Sequence, residues 1–164
     1  MRTVVFDGEM DNLIDSFKTG EYQTVSKIWC ISTIEIETGE RNHFGPDDID
    51  SGLEYIGSAD VAVGHNIIEY DFRVFRMLKD FIFTGKVIDT LVLSRYLYPE
   101  RAGGHGIEAW GVRVGKAKPS HEDWSQYTPE MKTRCDEDTE INLLTYHMLM
   151  EESREPIEGV YLYE

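Results

Sequence analysis

Asp7 and Glu9 stand two residues apart at the end of a short β-branched run, Thr3-Val4-Val5-Phe6. The two-residue period of a strand points both carboxylates to one side, which is how a single strand offers two ligands. Asp71 sits at the opening of a helical segment shortly after His65-Asn66, and Asp138 lies inside a longer helical segment, four residues after Arg134. Singly, each has an ordinary explanation: a solvated strand end, a first-turn carboxylate stabilised by the helix dipole, an i,i+4 ion pair on a wet face. Converging, they make a set of hard oxygen donors, which suits Mg2+ or Mn2+ better than His or Cys would.

The elements that must position these residues follow from periodicity. Residues 3–6 predict a buried strand leading to a polar edge, and residues 16–27 a polar stretch. Alternation through Cys30, Ser32, Ile34 and Ile36, followed by Thr38-Gly39-Glu40, predicts a hairpin of strands 28–37 and 41–44. Pro46 and the acidic residues after it predict the opening turn of a helix running to about Ile56. Residues 61–64 predict another buried strand, and Tyr70, Val74, Met77-Leu78 and Phe81 mark one helical face. Val87-Ile88 reads as a brief strand or turn before a helix over 91–97, a short helix spans 107–112, and a long one runs from Pro129 to Glu152. Together they predict an α/β or α+β domain with a small mixed sheet flanked by helices.

Composition sets the bounds. A chain of 164 residues with 41% apolar and 29% charged side chains hides roughly 70% of its extended surface on folding and needs no disulfides. Cys30 and Cys135 lack Cys or His neighbours at zinc-ligand spacing and read as reduced thiols of a cytoplasmic protein. Without a membrane-length apolar run or a signal-peptide core after Met1-Arg2, membrane and export readings fall away. The net charge of −15 repels nucleic acid and anionic lipid at long range, so an acidic site of this kind needs its ions before a phosphate can approach.

Asp7-Gly8-Glu9, His65-Asn66-Ile67-Ile68-Glu69-Tyr70-Asp71 and Asp138 have the order and spacing of the three exonuclease motifs of the DEDD class. On these residues the chain resembles the DnaQ-like exonucleases. Ile88-Asp89-Thr90-Leu91-Val92-Leu93-Ser94-Arg95, Gly106-Ile107-Glu108-Ala109-Trp110-Gly111 and Arg113-Val114-Gly115 extend the resemblance to the proofreading exonuclease domain of the T-seven-like phage family A DNA polymerases. It implies an α/β, ribonuclease H-like fold with a central mixed β-sheet flanked by helices, in one 3′–5′ exonuclease domain over residues 1–164 with no polymerase domain. It also implies hydrolysis of phosphodiester bonds at single-stranded or frayed DNA 3′ ends with two Mg2+ or Mn2+ ions. The setting would be the cytoplasm of a phage-infected bacterium, with proofreading for a separate DNA polymerase.

The resemblance further implies that Asp7 bridges both metals, that Glu9 and Asp138 help hold the one that activates water, and that Asp71 acts through water or the second metal. Met10, Asn66 and Tyr70 become candidate substrate contacts, while Arg113, Lys116 and Lys118, with Arg95, offer a cationic track for the strand. The third motif departs from the class, which commonly orients water with a tyrosine four residues before the last aspartate or a histidine five before it. Arg134 and Thr133 stand there instead. An arginine cannot act as a base; it is left to pair with Asp138, bind a phosphate oxygen or partly block the site. His65, His105 and His121 remain as acid–base candidates, and Trp110 and Trp124 as packing residues. Two alternatives stand beside the main reading: a catalytically weakened acidic module that binds a basic partner, and an exoribonuclease of the same fold.

Overall fold

The computed structural model describes residues 1–18, 21–116 and 122–154. In chain order the strands are β1 (Thr3–Met10), β2 (Ser16–Lys18), β3 (Glu21–Gln23), β4 (Ile28–Glu35), β5 (Arg41–Phe44), β6 (Val61–Gly64) and β7 (Lys86–Asp89). The helices are α1 (Ile49–Gly57), α2 (Asp71–Lys79), α3 (Thr90–Leu97), α4 (Ile107–Arg113) and α5 (Pro129–Glu152). Five strands form one mixed sheet in the order β5-β4-β1-β6-β7, and β2 pairs with β3 as a separate hairpin. β1 lies at the centre, antiparallel to β4 and parallel to β6. The central mixed sheet flanked by helices is the architecture expected from the sequence.

Strand alternation sorts the core into two faces. Val4 and Phe6 of β1, Ile31 of β4 and Ala62 of β6 pack with Ile49, Leu53 and Ile56 of α1 and Val74 and Phe75 of α2. Val5, Ile34, Val61 and Val63 point the other way, toward Leu143 and Tyr146 of α5. Asp7 and Glu9 continue the odd-numbered series of β1, so the same alternation that buries Val5 carries both carboxylates to the α5 side. Among the described residues no helix is long and apolar enough to cross a membrane.

The differences from expectation have local causes. β1 does not stop at Phe6; it runs through the acidic pair to a register shift between Glu9 and Met10, so both carboxylates are held by pairing with β4, beyond the point where β6 ceases to pair. Pro46 and the acids after it form a turn, and α1 begins only at Ile49. α2 ends at Lys79 because Asp80 takes a left-handed conformation (φ 52°), which turns Phe81 back to an edge contact with Phe75. The polar stretch after residue 15 contains the β2–β3 hairpin, which no apolar alternation announced.

Candidate active site

Gly8 is the opening through which the second motif reaches the first. A Cβ placed on it would stand 3.0 Å from Asp71 Oδ1 and 3.0 Å from Met10 Cε. With no side chain there, Asp71, the first residue of α2 and 5% exposed, comes over the strand toward the acidic pair. Its approach is organised by Asp89, whose carboxylate accepts hydrogen bonds from the backbone N–H groups of Asn66 (2.9 Å) and Ile68 (3.1 Å) and also caps α3 through Leu91 (3.0 Å) and Val92 (3.4 Å). The N–H groups gathered this way hold the loop between β6 and α2, in which Asn66 adopts a positive φ of 62°. The sequence contained this signal, an Asp just before an apolar helical run, but the N-cap role gave no hint that the same oxygens tie down a second loop.

The third motif comes from α5. Thr128 caps the helix by accepting from the Met131 N–H (3.2 Å) and Pro129 pre-sets its first turn. Met131, Cys135, Asp138, Asn142, Thr145 and Leu149 recur at helical spacing on its buried face. Cys135 donates its thiol to the Asp7 carbonyl (3.4 Å), which pins that face to β1 and leaves Asp138 beside the strand carboxylates. Asp7, Glu9 and Asp138 each bring an oxygen within 4.8 Å of the others.

These residues line one cleft of about 470 Å³ together with Asp71, Met10, Leu13, His65, Asn66, Tyr70, Ile107, Trp124 and Arg134. The cleft is acidic at its floor and apolar at its rim. Burial pushes the Asp71 carboxyl well above the usual carboxylate range, and the charges of Glu9 and Asp89 add to the shift. Among the described residues nothing hydrogen-bonds its buried Oδ1. Tyr70 is likewise shifted upward, by burial first and by Asp71 next, and its hydroxyl donates to the Asn12 carbonyl (2.5 Å), so it is a donor and not a base.

The donor set fits a divalent cation: three mutually close carboxylates and a fourth buried carboxylate oxygen with no hydrogen-bond partner, all hard oxygens. Asp7, Glu9 and Asp138 would hold it, with Asp71 beside them, and the ion would there supply an activated water and neutralise phosphate charge.

Arg134 is in the cleft, but its nearer partner is not the one local spacing suggested. Its Nε lies 3.2 Å from Glu9 Oε1 and 3.9 Å from Asp138 Oδ2, while its guanidinium sits 5.1 Å from the centre of the Trp124 ring. Trp124 therefore lines the site as well as packing near Cys30, Met131 and Cys135. Met10, Asn66 and Tyr70 also border the cleft, although Met10 is 4% exposed and belongs equally to the core.

Of the expected cationic track, Arg113 and Lys116 lie away from the cleft. Arg113 donates to the carbonyls of Ala102 and Gly104 (2.6 Å to the latter) and stacks on Trp110, clamping the glycine-rich loop. Lys116 pairs with Glu140 at 3.2 Å. Arg113 thus ties the loop before α4 and Lys116 pairs with α5, and neither lines the cleft. Lys118 and His121 lie outside the described residues. His105 bonds Ser94 (2.8 Å) and the Pro99 carbonyl (3.1 Å), a structural role, whereas His65 borders the cleft and bonds Thr90 (2.8 Å).

No family model matches the chain. It is 28% identical over 149 residues to the DNA-directed DNA polymerase of Escherichia phage T7 and 27% identical over 149 residues to that of Enterobacteria phage T3. The chain resembles these phage DNA polymerases. The match covers 73% of this chain and 20% of each polymerase, so the chain spans about a fifth of the length of these relatives. Among solved structures it is similar to the exonuclease domain of EXD2, in a crystal soaked in manganese, with 14% identity, a TM-score of 0.41, and coverage of 97% of this chain and 86% of the other.

Proposed function

We propose that this chain is a metal-dependent 3′–5′ exonuclease, folded as a single domain, that hydrolyses phosphodiester bonds at single-stranded or frayed DNA 3′ ends and proofreads for a DNA polymerase. The observation that carries the reading is the convergence of Asp7, Glu9 and Asp138 within 4.8 Å, with Asp71 in the same cleft. Three carboxylates packed this closely, with a fourth in the same cleft, repel one another unless cations join them. Two divalent ions, Mg2+ or Mn2+, balance their four formal charges, which lets a phosphate approach despite the net charge of −15. The similarity to the phage polymerases supports a nuclease that works on a DNA end.

In this reading the rim residues Leu13, Ile107 and Trp124 offer apolar surface to unstacked bases, and the Asn66 loop faces the sugar-phosphate strand. The second reading, an acidic module with weakened chemistry, draws on Arg134, which already neutralises part of the cluster. End-labelled single-stranded DNA distinguishes the two. With Mg2+ or Mn2+, a 5′-labelled strand is expected to shorten stepwise and a 3′ label to leave first as a mononucleotide, with chelator stopping both. Intact strands at enzyme excess in both metals would overturn the nuclease; a 5′ label released first would overturn its polarity. A parallel RNA strand tests the sugar.

A further inference from the structure

We infer that Arg134 is a built-in competitor for the divalent cation: its guanidinium holds the Glu9 and Asp138 carboxylates until the ion arrives, and the ion binds only as the arginine gives way. The inference rests on the proposed metal site and adds a control on how that site is loaded. Arg134 contacts two of the three carboxylates that converge, at 3.2 Å and 3.9 Å, and its side chain is only 13% exposed. It is no loosely tethered surface charge.

A guanidinium carries its charge at any working pH and has no lone pair for a metal. It can replace the ion electrostatically but cannot share its coordination sphere. With both present, a dication on Glu9 and Asp138 would meet a positive charge about 4 Å away, a repulsion that even bulk water screens to no less than roughly a tenfold loss of affinity. The site also contains a resting place for the displaced group. Trp124 already lies under the guanidinium at 5.1 Å, so the arginine can release Glu9 and stay on the ring face, still inside the cleft. Positioned there, it faces whatever anion the cleft admits.

Two properties follow for the chain's own residues. Without metal, Arg134 offsets the repulsion among the carboxylates and so stabilises the fold. With metal, it lowers the apparent affinity below what the carboxylates alone would give.

Mn2+ binding, read by titration calorimetry and by the electron paramagnetic resonance signal of free Mn2+, tests this directly on the full chain without any turnover. Arg134→Met is expected to bind Mn2+ at least about tenfold more tightly than wild type, and Arg134→Lys, which keeps the charge, to stay within about threefold of wild type. In chelator Arg134→Met should melt below wild type, and Mn2+ should raise its melting temperature by more. If methionine weakens the fold too far, Arg134→Gln serves as the neutral variant. Equal or weaker Mn2+ affinity in the neutral variant overturns the inference and leaves the proposed nuclease intact. A neutral variant that melts lower by the same amount with and without Mn2+ reduces Arg134 to a packing residue and also overturns it. Failure of every form, wild type included, to bind Mn2+ overturns both the inference and the metal centre.

Discussion

Gly8 and Asp71 meet where β1 passes under the start of α2, with Asp71 Oδ1 at 3.0 Å from the place a Gly8 Cβ would occupy. A contact that short makes the neighbour move, and here the neighbour is a buried carboxylate on the first turn of a helix. Gly8→Ala is therefore expected to displace Asp71 while leaving the strand paired. Misplacement of a reacting group by about 1 Å costs on the order of 10²-fold in rate, and the shift needed here is smaller, so kcat should fall by about tenfold with only a small change in melting temperature. Full activity in Gly8→Ala would show that Asp71 does not need its present position.

Asp7→Asn should abolish hydrolysis, since it removes one of the three carboxylates that converge. Removal of one negative charge beside Glu9 and Asp138 should also raise the melting temperature in chelator, by about 2 °C or more. Calorimetric melts with and without chelator check the second statement independently of the first.

Asp89 fixes two segments with one carboxylate, the loop before α2 and the first turn of α3. Asp89→Ala leaves part-buried N–H groups without this acceptor and is expected to cost about 2 kcal/mol in urea unfolding. Asp89→Asn retains one acceptor oxygen and should lose less, with a drop in activity that follows the disorder of the Asn66 loop. Amide hydrogen exchange at Asn66 and Ile68 measures that directly.

His43 gives a pH dependence away from the cleft. Its Nδ1 lies 2.7 Å from Asp136 Oδ1 and its Nε2 2.8 Å from the Tyr127 hydroxyl. Burial works against the imidazolium, but Cys30 and Asp136 outweigh it, and the pKa stands above its ordinary value. A raised pKa in the folded state means that the stabilisation is complete below the unfolded value and is lost as pH rises through the folded one. The melting temperature of wild type should exceed that of His43→Gln most clearly near about pH 6, and the gap should narrow toward about pH 8. A gap that widens with pH would reverse the assigned sign.

What could be read from the sequence was whatever repeats locally. Asp7 and Glu9 share a face because a strand has period two, whereas local spacing puts Asp138 on a wet face, and only the resemblance to the exonuclease motifs implies its place beside them. Arg134 illustrates the limit. Local spacing pairs it with Asp138, yet Glu9, 125 positions away, is nearer, because the docking of α5 on β1 decides the contact. Arg113 and Lys116 mark the same limit from the other side: a sequence displays their charges but not the carbonyls and the Glu140 carboxylate that occupy them. The β2–β3 hairpin escaped notice because a polar two-stranded ribbon leaves no hydrophobic alternation.

The central place of β1 bears on when the protein becomes able to act. Asp7 and Glu9 are synthesised well before α5, the helix whose docking brings Asp138 and Arg134 beside them. Until that helix emerges and docks, Asp138 and Arg134 are missing and the acidic pair has neither its third ligand nor its resident cation. Contacts this distant along the chain are made late, after the strands have paired. The cluster of Asp7, Glu9 and Asp138 is thus assembled only once α5 has docked on the sheet.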